Sequence, residues 1–306
     1  MDAQTQKIID SINRLKREHH ALILAHNYQR DEVQAIADVT GDSLALSRAA
    51  AKSDARVIVF CGVHFMAETA ALLSPDKIVL IPDPDAGCPM ANMITAEELR
   101  AFKHEHPGAV VVTYVNSSAA VKAESDICCT SSNAVAVVHA LDPSREIIFV
   151  PDKYLGTFVA AQTGRKLILW HGYCPTHVKI QPEDILRQKQ AHPHARVVVH
   201  PECTAPVVQL ADAVLSTGGM CRYAGRHEVS ELIVGTETGI LYRLCLENPG
   251  KKFYPASEAA TCPNMKKITL EKVLWSLQRM EHRVCVPDHI AAQARRAVDA
   301  MLGIGG

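Results

Sequence analysis

Apolar residues in this chain gather into short unbroken runs that follow amphipathic stretches. Ala21-Leu22-Ile23-Leu24-Ala25, Val110-Val111-Val112 and Val197-Val198-Val199 are three such runs. Residues 2–20 carry Ile8, Ile9, Ile12 and Leu15 at helical spacing and lead straight into the first run. Leu99-Arg100-Ala101-Phe102-Lys103 passes through His106-Pro107 into the second, and Ile185-Leu186-Arg187-Gln188-Lys189 passes through His192-Pro193 into the third. A proline at those two junctions predicts that the helix stops before the strand begins. Continuous apolar runs alternating with helices predict strands of parallel sheets covered on both faces.

The same pattern recurs at a fixed interval. When the chain is slid over itself by 88 and then 86 residues, His26-Asn27-Tyr28, Tyr114-Val115-Asn116 and His200-Pro201-Glu202 coincide at the ends of the first strands. Asp38, Asp126 and Asp212 then coincide at a second strand, and five residues later Ser43, Ser131 and Thr217 do, each expected to open a helix. Third strands fall at Arg56-Val57-Ile58-Val59-Phe60, Glu146-Ile147-Ile148-Phe149-Val150 and Glu231-Leu232-Ile233-Val234, and fourth strands at Ile78-Val79-Leu80-Ile81, Leu167-Ile168-Leu169-Trp170 and Lys252-Phe253-Tyr254. A Cys-Pro step closes each copy, at Cys88-Pro89, Cys174-Pro175 and Cys262-Pro263. The predicted fold is therefore α/β: three homologous αβα sandwich modules with four-stranded parallel sheets, arranged around a pseudo-threefold axis. Their expected extents are residues 1–108, including the N-terminal helix, 109–194, and 195–306, including a C-terminal tail. Ligands of parallel α/β sheets bind beyond the carboxyl ends of the strands. Every repeated polar residue is expected at such an end, facing one central site.

Composition narrows the class. With 306 residues, 48% hydrophobic content and a net charge of −1, the chain can bury a sizeable core. It offers no long basic run for nucleic acid or an anionic membrane surface, so small molecules are the expected partners. The first residues lack a signal-peptide pattern, and no apolar run is long enough to span a bilayer, which predicts a cytoplasmic protein. In a reducing compartment the ten cysteines are expected as ligands or as small buried residues rather than disulfides. Cys128-Cys129 has no counterpart in the other modules and reads as packing.

Cys88, Cys174 and Cys262 are the only cysteines followed by proline, and they come singly from distant loops. Structural zinc usually takes four ligands from closely spaced pairs. Three thiolates with an open position leave two readings: a catalytic zinc with a water, serving a hydrolase or lyase that also uses Glu202, or a [4Fe-4S] cluster with one open iron. The second fits better, because proline after cysteine also occurs in cluster-binding loops, and it points to dehydratase-type Lewis-acid chemistry. A non-catalytic three-module scaffold would not need three such cysteines beside a His-x-Glu pair.

The chain resembles the quinolinate synthase (NadA) family over essentially its whole length. The resemblance is carried by Ala25-His26-Asn27-Tyr28, Gly41-Asp42-Ser43, Ala86-Gly87-Cys88-Pro89, Tyr114-Val115-Asn116, Thr130-Ser131-Ser132-Asn133, Gly172-Tyr173-Cys174, His200-Pro201-Glu202-Cys203, Ser216-Thr217-Gly218-Gly219-Met220 and Cys262-Pro263-Asn264-Met265. It implies a triplicated αβα fold and a central [4Fe-4S] cluster on Cys88, Cys174 and Cys262. It also implies condensation of iminoaspartate with dihydroxyacetone phosphate to quinolinate, with loss of phosphate and water, in NAD biosynthesis, and a functional link to an L-aspartate oxidase supplying iminoaspartate. Some members carry Cys-x-x-Cys-x-x-Cys near the third ligand, where this chain has Cys262 alone. For that reaction Ser43, Ser131, Ser216 and Thr217 are expected to hold carboxylates and phosphate as neutral donors at helix N-termini. Tyr28, Tyr114, His26, His200 and Glu202 are the candidates for proton transfer, with Asn116 orienting substrate.

Overall fold

Three four-stranded sheets share one strand order. In this computed structural model, which describes residues 3–304, the first is built from β1 (Ala21–His26), β2 (Val39–Gly41), β3 (Val57–Cys61) and β4 (Ile78–Leu80), in the order β2-β1-β3-β4. The second uses β5 (Val110–Tyr114), β6 (Ile127–Cys129), β7 (Ile147–Val150) and β8 (Leu167–Leu169), in the order β6-β5-β7-β8. The third uses β9 (Arg196–Val199), β10 (Ala213–Val214), β11 (Glu231–Gly235) and β12 (Lys252–Pro255), in the order β10-β9-β11-β12. Every pairing is parallel. Residues 2 and 305–306, at the ends of the expected first helix and tail, lie outside the described residues.

The register carries the repeat down to single residues. Ala25 lies beside Cys61, Thr113 beside Val150 and Val199 beside Gly235, so the first strands keep the 88- and 86-residue offsets while their third-strand partners lie 89 and 85 residues apart. The continuous apolar runs are explained by burial on both faces: all five residues of β3 and all four of β7 are buried.

The repeated aspartates prove structural. Asp38, Asp126 and Asp212 sit at the amino ends of β2, β6 and β10, not at the expected carboxyl ends. In each module the side chain accepts a hydrogen bond from a backbone N–H of the neighbouring strand: Ile23 to Asp38 at 2.8 Å, Val111 to Asp126 at 2.8 Å and Val197 to Asp212 at 2.6 Å. The aspartate's own N–H returns a bond to the same residue's carbonyl each time. This two-bond ring starts the ladder before the second strand begins, and the chemistry of a ligand plays no part in it.

Helices α1 (Ala3–His19), α2 (Asp31–Ala35), α3 (Ser43–Lys52) and α4 (His64–Leu73) belong to the first module. They are matched around the second sheet by α5 (Ala96–Glu105), α6 (Ala119–Ala123), α7 (Ala134–Ala140) and α8 (Lys153–Thr163), and around the third by α9 (Pro182–Ala191), α10 (Ala205–Gln209), α11 (Thr217–Ala224) and α12 (Ile240–Glu247), with α5 and α9 falling at the ends of the residue ranges expected for the preceding modules. The tail leaves the third module. Helix α13 (Leu270–Arg279) packs on α1 and β3, Arg283 bridges to Leu80 of β4, and α14 (Asp288–Leu302) packs on α6, β6 and α4. The last segment of chain thus ties the first two modules together.

If the aspartates serve only the ladder, Asp126→Ala should lower stability by about 1 kcal/mol, the usual worth of one such bond. The check is a urea midpoint moved at unchanged slope, with turnover per folded molecule intact. Lost turnover at wild-type stability would return Asp126 to the site.

Candidate active site

The strand ends of all three modules open on one cavity of about 170 Å³. Its wall contains His26, Tyr28, Ser43, Cys88, Tyr114, Asn116, Ser131, Cys174, His200, Glu202, Thr217 and Cys262, which is every sequence-derived candidate except Ser216. The Ser216 hydroxyl instead caps α11, accepting from the Gly219 N–H at 3.2 Å. Ser43 and Ser131, by contrast, are not caps: Asp42 caps α3 through the Ala45 N–H, and Asn133 stands at the start of α7. Ser131 lies in the turn before α7 rather than at its first residue. Ser43 and Thr217 are first residues of their helices and line the cavity, and Thr217 Oγ1 accepts from the Asn27 side-chain amide at 2.9 Å.

Local folding aims the strand-end pairs. β9 stops at Val199, so His200 and Glu202 lie beyond the strand and strand alternation does not set their direction. A turn does so instead, with the Glu202 N–H donating to His200 Nδ1 at 3.4 Å. The first module repeats the device, with the Tyr28 N–H donating to His26 Nδ1 at 3.2 Å. Each ring therefore carries its proton on Nε2. His200 uses it toward Ser131 Oγ at 3.2 Å. Burial pushes His26 down to about 4 and His200 to about 3. Both are neutral donors at pH 7.

Glu202 is 2% exposed, and both its oxygens are committed. Tyr114 donates to Oε1 at 2.5 Å, and His177 Nδ1 lies 2.7 Å from Oε2. Burial would raise this carboxyl, but the adjacent His177 and His200 and the bonds from His177 and Tyr114 reverse that effect and hold it ionised. The other nitrogen of His177 lies 2.8 Å from Thr236 Oγ1, which lies 2.5 Å from the Tyr28 hydroxyl. A continuous relay results: Tyr28, Thr236, His177, Glu202, Tyr114. It draws on all three modules. Burial raises both tyrosines well above their ordinary value, so each enters the relay as a phenol. Asn116 keeps a buried side-chain oxygen without a partner at the cavity wall, an acceptor left for a ligand.

Cys88, Cys174 and Cys262 are the cysteines on the cavity wall, one from each module, and all ten cysteines are free thiols. Burial pushes Cys88 up to about 12 and Cys174 well above the ordinary range, with neighbouring Glu202 adding to both. Ionising Cys88 and Cys174 here therefore calls for a compensating cationic guest, which a metal cluster would provide. Gly172 permits the Cys174 loop to pass: a Cβ there would stand 2.5 Å from the Pro151 carbonyl oxygen. Cys174, His177 and Glu202 also place one ligand atom each within 4.8 Å of one another, a spacing that suits a single ion. That set leaves Cys88 and Cys262 unused.

The family model for "Quinolinate synthetase A protein" matches residues 10–303 of this chain. This chain belongs to the NadA family. Quinolinate synthase of Dehalococcoides mccartyi strain BAV1 is 61% identical, over 97% of this chain and 98% of that relative. Quinolinate synthase of Geobacter metallireducens is 56% identical over 98% and 99%, and quinolinate synthase 2 of Methanosarcina acetivorans is 56% identical over 98% and 96%. These relatives give the zinc hydrolase reading no support. Among the described residues no helix is long and apolar enough to cross a membrane.

Sequence reasoning passed over several residues of this NadA site. His177, three residues beyond Cys174, carried a signal in the repeat, because Ala91 and Met265 hold the same place after Cys88 and Cys262. Thr236 and Glu237 follow β11. Glu237 is fully buried and accepts from the Cys262 N–H at 3.0 Å and the Gly239 N–H at 2.7 Å, while Lys266 lies 3.1 Å away. By register its counterparts are Asp152 and Val63. Asp152 is buried too, caps α8 through Tyr154 and Leu155, and leaves its second oxygen unpartnered.

The histidines give the site a pH signature. Unfolded His26 takes a proton near its ordinary value of 6.5, whereas folded His26 resists until about 4, so the unfolded state binds more protons between those limits. Stability should therefore fall as pH is lowered from about 6.5 to 4, and His26→Gln should flatten that slope. Denaturant midpoints against pH measure it, and equal slopes in both proteins would mean that His26 is not buried neutral.

Proposed function

We propose that the cavity condenses iminoaspartate with dihydroxyacetone phosphate to quinolinate, releasing phosphate and water, and that the chain acts in cytoplasmic NAD biosynthesis with iminoaspartate from an L-aspartate oxidase. The observation that carries the reading is the convergence of three single cysteines, one per module, beside a buried five-residue proton relay.

Cys88, Cys174 and Cys262 would hold a [4Fe-4S] cluster, and three thiolates for four irons fit the donor set. When bound, such a cluster supplies a Lewis-acidic iron without a protein thiolate, suited to a substrate hydroxyl or carboxylate. The chain's own residues do the rest. Both substrates are anionic, and the donors that meet them are neutral: the Ser43, Ser131 and Thr217 hydroxyls and the Nε2–H group of His26, with His200 Nε2–H orienting the Ser131 hydroxyl and Lys179 a cation on the wall. Neutral donors bind carboxylate and phosphate without trapping the product as a salt. Asn116 accepts from the substrate's donors.

Proton transfers fall to the relay. Tyr28, by its hydroxyl, gives or takes a proton at the substrate while His177 Nε2 receives or returns it through Thr236. Glu202 stays ionised, fixes the His177 tautomer and stabilises the imidazolium that forms. Its function differs from the expected one of accepting substrate protons itself, because neither carboxylate oxygen is free. Tyr114 closes the relay on the second module's side.

Glu202→Gln keeps the shape but replaces an acceptor facing His177 with an amide. Anaerobic turnover should drop roughly 10²- to 10⁴-fold with iron content unchanged, whereas Asn116→Ala should raise KM more than it lowers kcat. Near-normal turnover in Glu202→Gln would remove the relay from the mechanism. Serine at Cys88, Cys174 or Cys262 should strip iron and sulfide after anaerobic reconstitution, and serine at Cys203 or Cys128 should not. A colourless wild-type protein carrying one zinc would overturn the cluster.

A further inference from the structure

Each strand-end pair is followed by a five-residue helix, α2, α6 or α10, and the fourth residue of that helix is Gln34, Lys122 or Val208. The spacing is again 88 and 86 residues. Gln34 is buried, and its side-chain amide donates to the carbonyls of Asn27 at 3.2 Å, Gln29 at 3.0 Å and Gly239 at 2.8 Å. Lys122 is 0% exposed, and its ammonium donates to the carbonyl of Ser117, the residue equivalent to Gln29. Neither side chain lines the cavity.

An ammonium buried without exposure is costly unless something compensates it. Here the surroundings are the Ser117 carbonyl, the Phe65 ring 5.4 Å away and the charge of Glu68, whose carboxylate accepts from the Ala119 N–H at 3.0 Å. Filling space alone would call for an apolar residue, and the third module has one in Val208. What the first two modules share is a donor on the carbonyl directly after the cavity pair. In the third module that loop is anchored differently, by the bonds of Glu202 to Tyr114 and His177 and by the Cys203 thiol donating to the Gly235 carbonyl at 3.5 Å.

We propose that Gln34 and Lys122 are positioning residues for the reaction: each clamps the turn behind a cavity pair, so that His26 and Tyr28, and Tyr114 and Asn116, keep their aim. The inference rests on the catalytic and binding roles given above to those pairs. Asn116 shows why a clamp is needed, since a side chain that leaves its oxygen unpartnered for a ligand must be held through its backbone.

The test is a double-mutant cycle on the reconstituted holoenzyme, assayed anaerobically. Lys122→Met should keep iron content and far-ultraviolet circular dichroism while lowering kcat/KM by about 10- to 100-fold, as small misplacements do. In an Asn116→Ala background the same change should cost much less, because the group it aims is gone. Losses that multiply in full, or no loss in Lys122→Met, would overturn the clamp. Should Lys122→Met fail to fold, Gln34→Leu with and without Tyr28→Phe runs the same cycle on the first module. If Asn116→Ala and Tyr28→Phe leave turnover and KM unchanged, the roles of the pairs fail and the clamp fails with them. If those variants are impaired yet add independently to the clamp variants, the clamp alone fails.

Discussion

A buried carboxylate governs how the modules fit. Glu202 comes from the third module and its two partners, Tyr114 and His177, from the second, while Tyr28 of the first reaches the same relay through Thr236. A charge this deep is tolerated only when its hydrogen bonds are made. Slipping any module by one residue would leave an ionised group unpaired at the centre. The relay therefore helps to set how the three sheets meet, alongside the apolar core.

Symmetry and its violation divide the work. What the modules share is scaffold: the strand order, the aspartate ring before each second strand, the turn after each first strand and the cysteine after each fourth. What they do not share is chemistry. Equivalent positions hold Tyr28, Asn116 and Glu202, or Val63, Asp152 and Glu237, or Ala91, His177 and Met265. A threefold cradle suits a compact guest, but a ring closure that joins two unlike molecules needs acid, base and binding groups on particular sides. Triplication followed by divergence at strand ends supplies both, because a side chain beyond a carboxyl end can change without disturbing the ladder behind it.

The strands, their parallel pairing and the triplication were legible in the sequence because apolar runs and Cys-Pro steps are local signals that survive without coordinates. The polar strand-end part of the cavity wall was legible for the same reason, since strand-end residues repeat at the module spacing. Two kinds of feature were not. The aspartates repeat as faithfully as the site residues, and repetition alone could not tell a ladder bond from a ligand contact; Asp126 and Tyr114 look alike until the direction of the strand is known. His177, Thr236 and Glu237 break the repeat, and their meaning lies in partners 25 to 208 positions away along the chain, which periodicity does not reach.

The unpaired groups left inside mark where the fold stops and the reaction begins. Folding normally satisfies buried polar atoms, because an orphan costs free energy that the native state must find elsewhere. Here five of the six orphans among the described residues lie at or behind the strand ends, namely the oxygen of Asn116, the second oxygen of Asp152, the hydroxyl of Ser117 and the amide oxygens of Gln29 and Gln34, while the sixth, the Ser276 hydroxyl, is in α13. Only Asn116 among these lines the cavity. Its orphan is the one a substrate can satisfy, so part of the stability withheld in the free protein returns on binding.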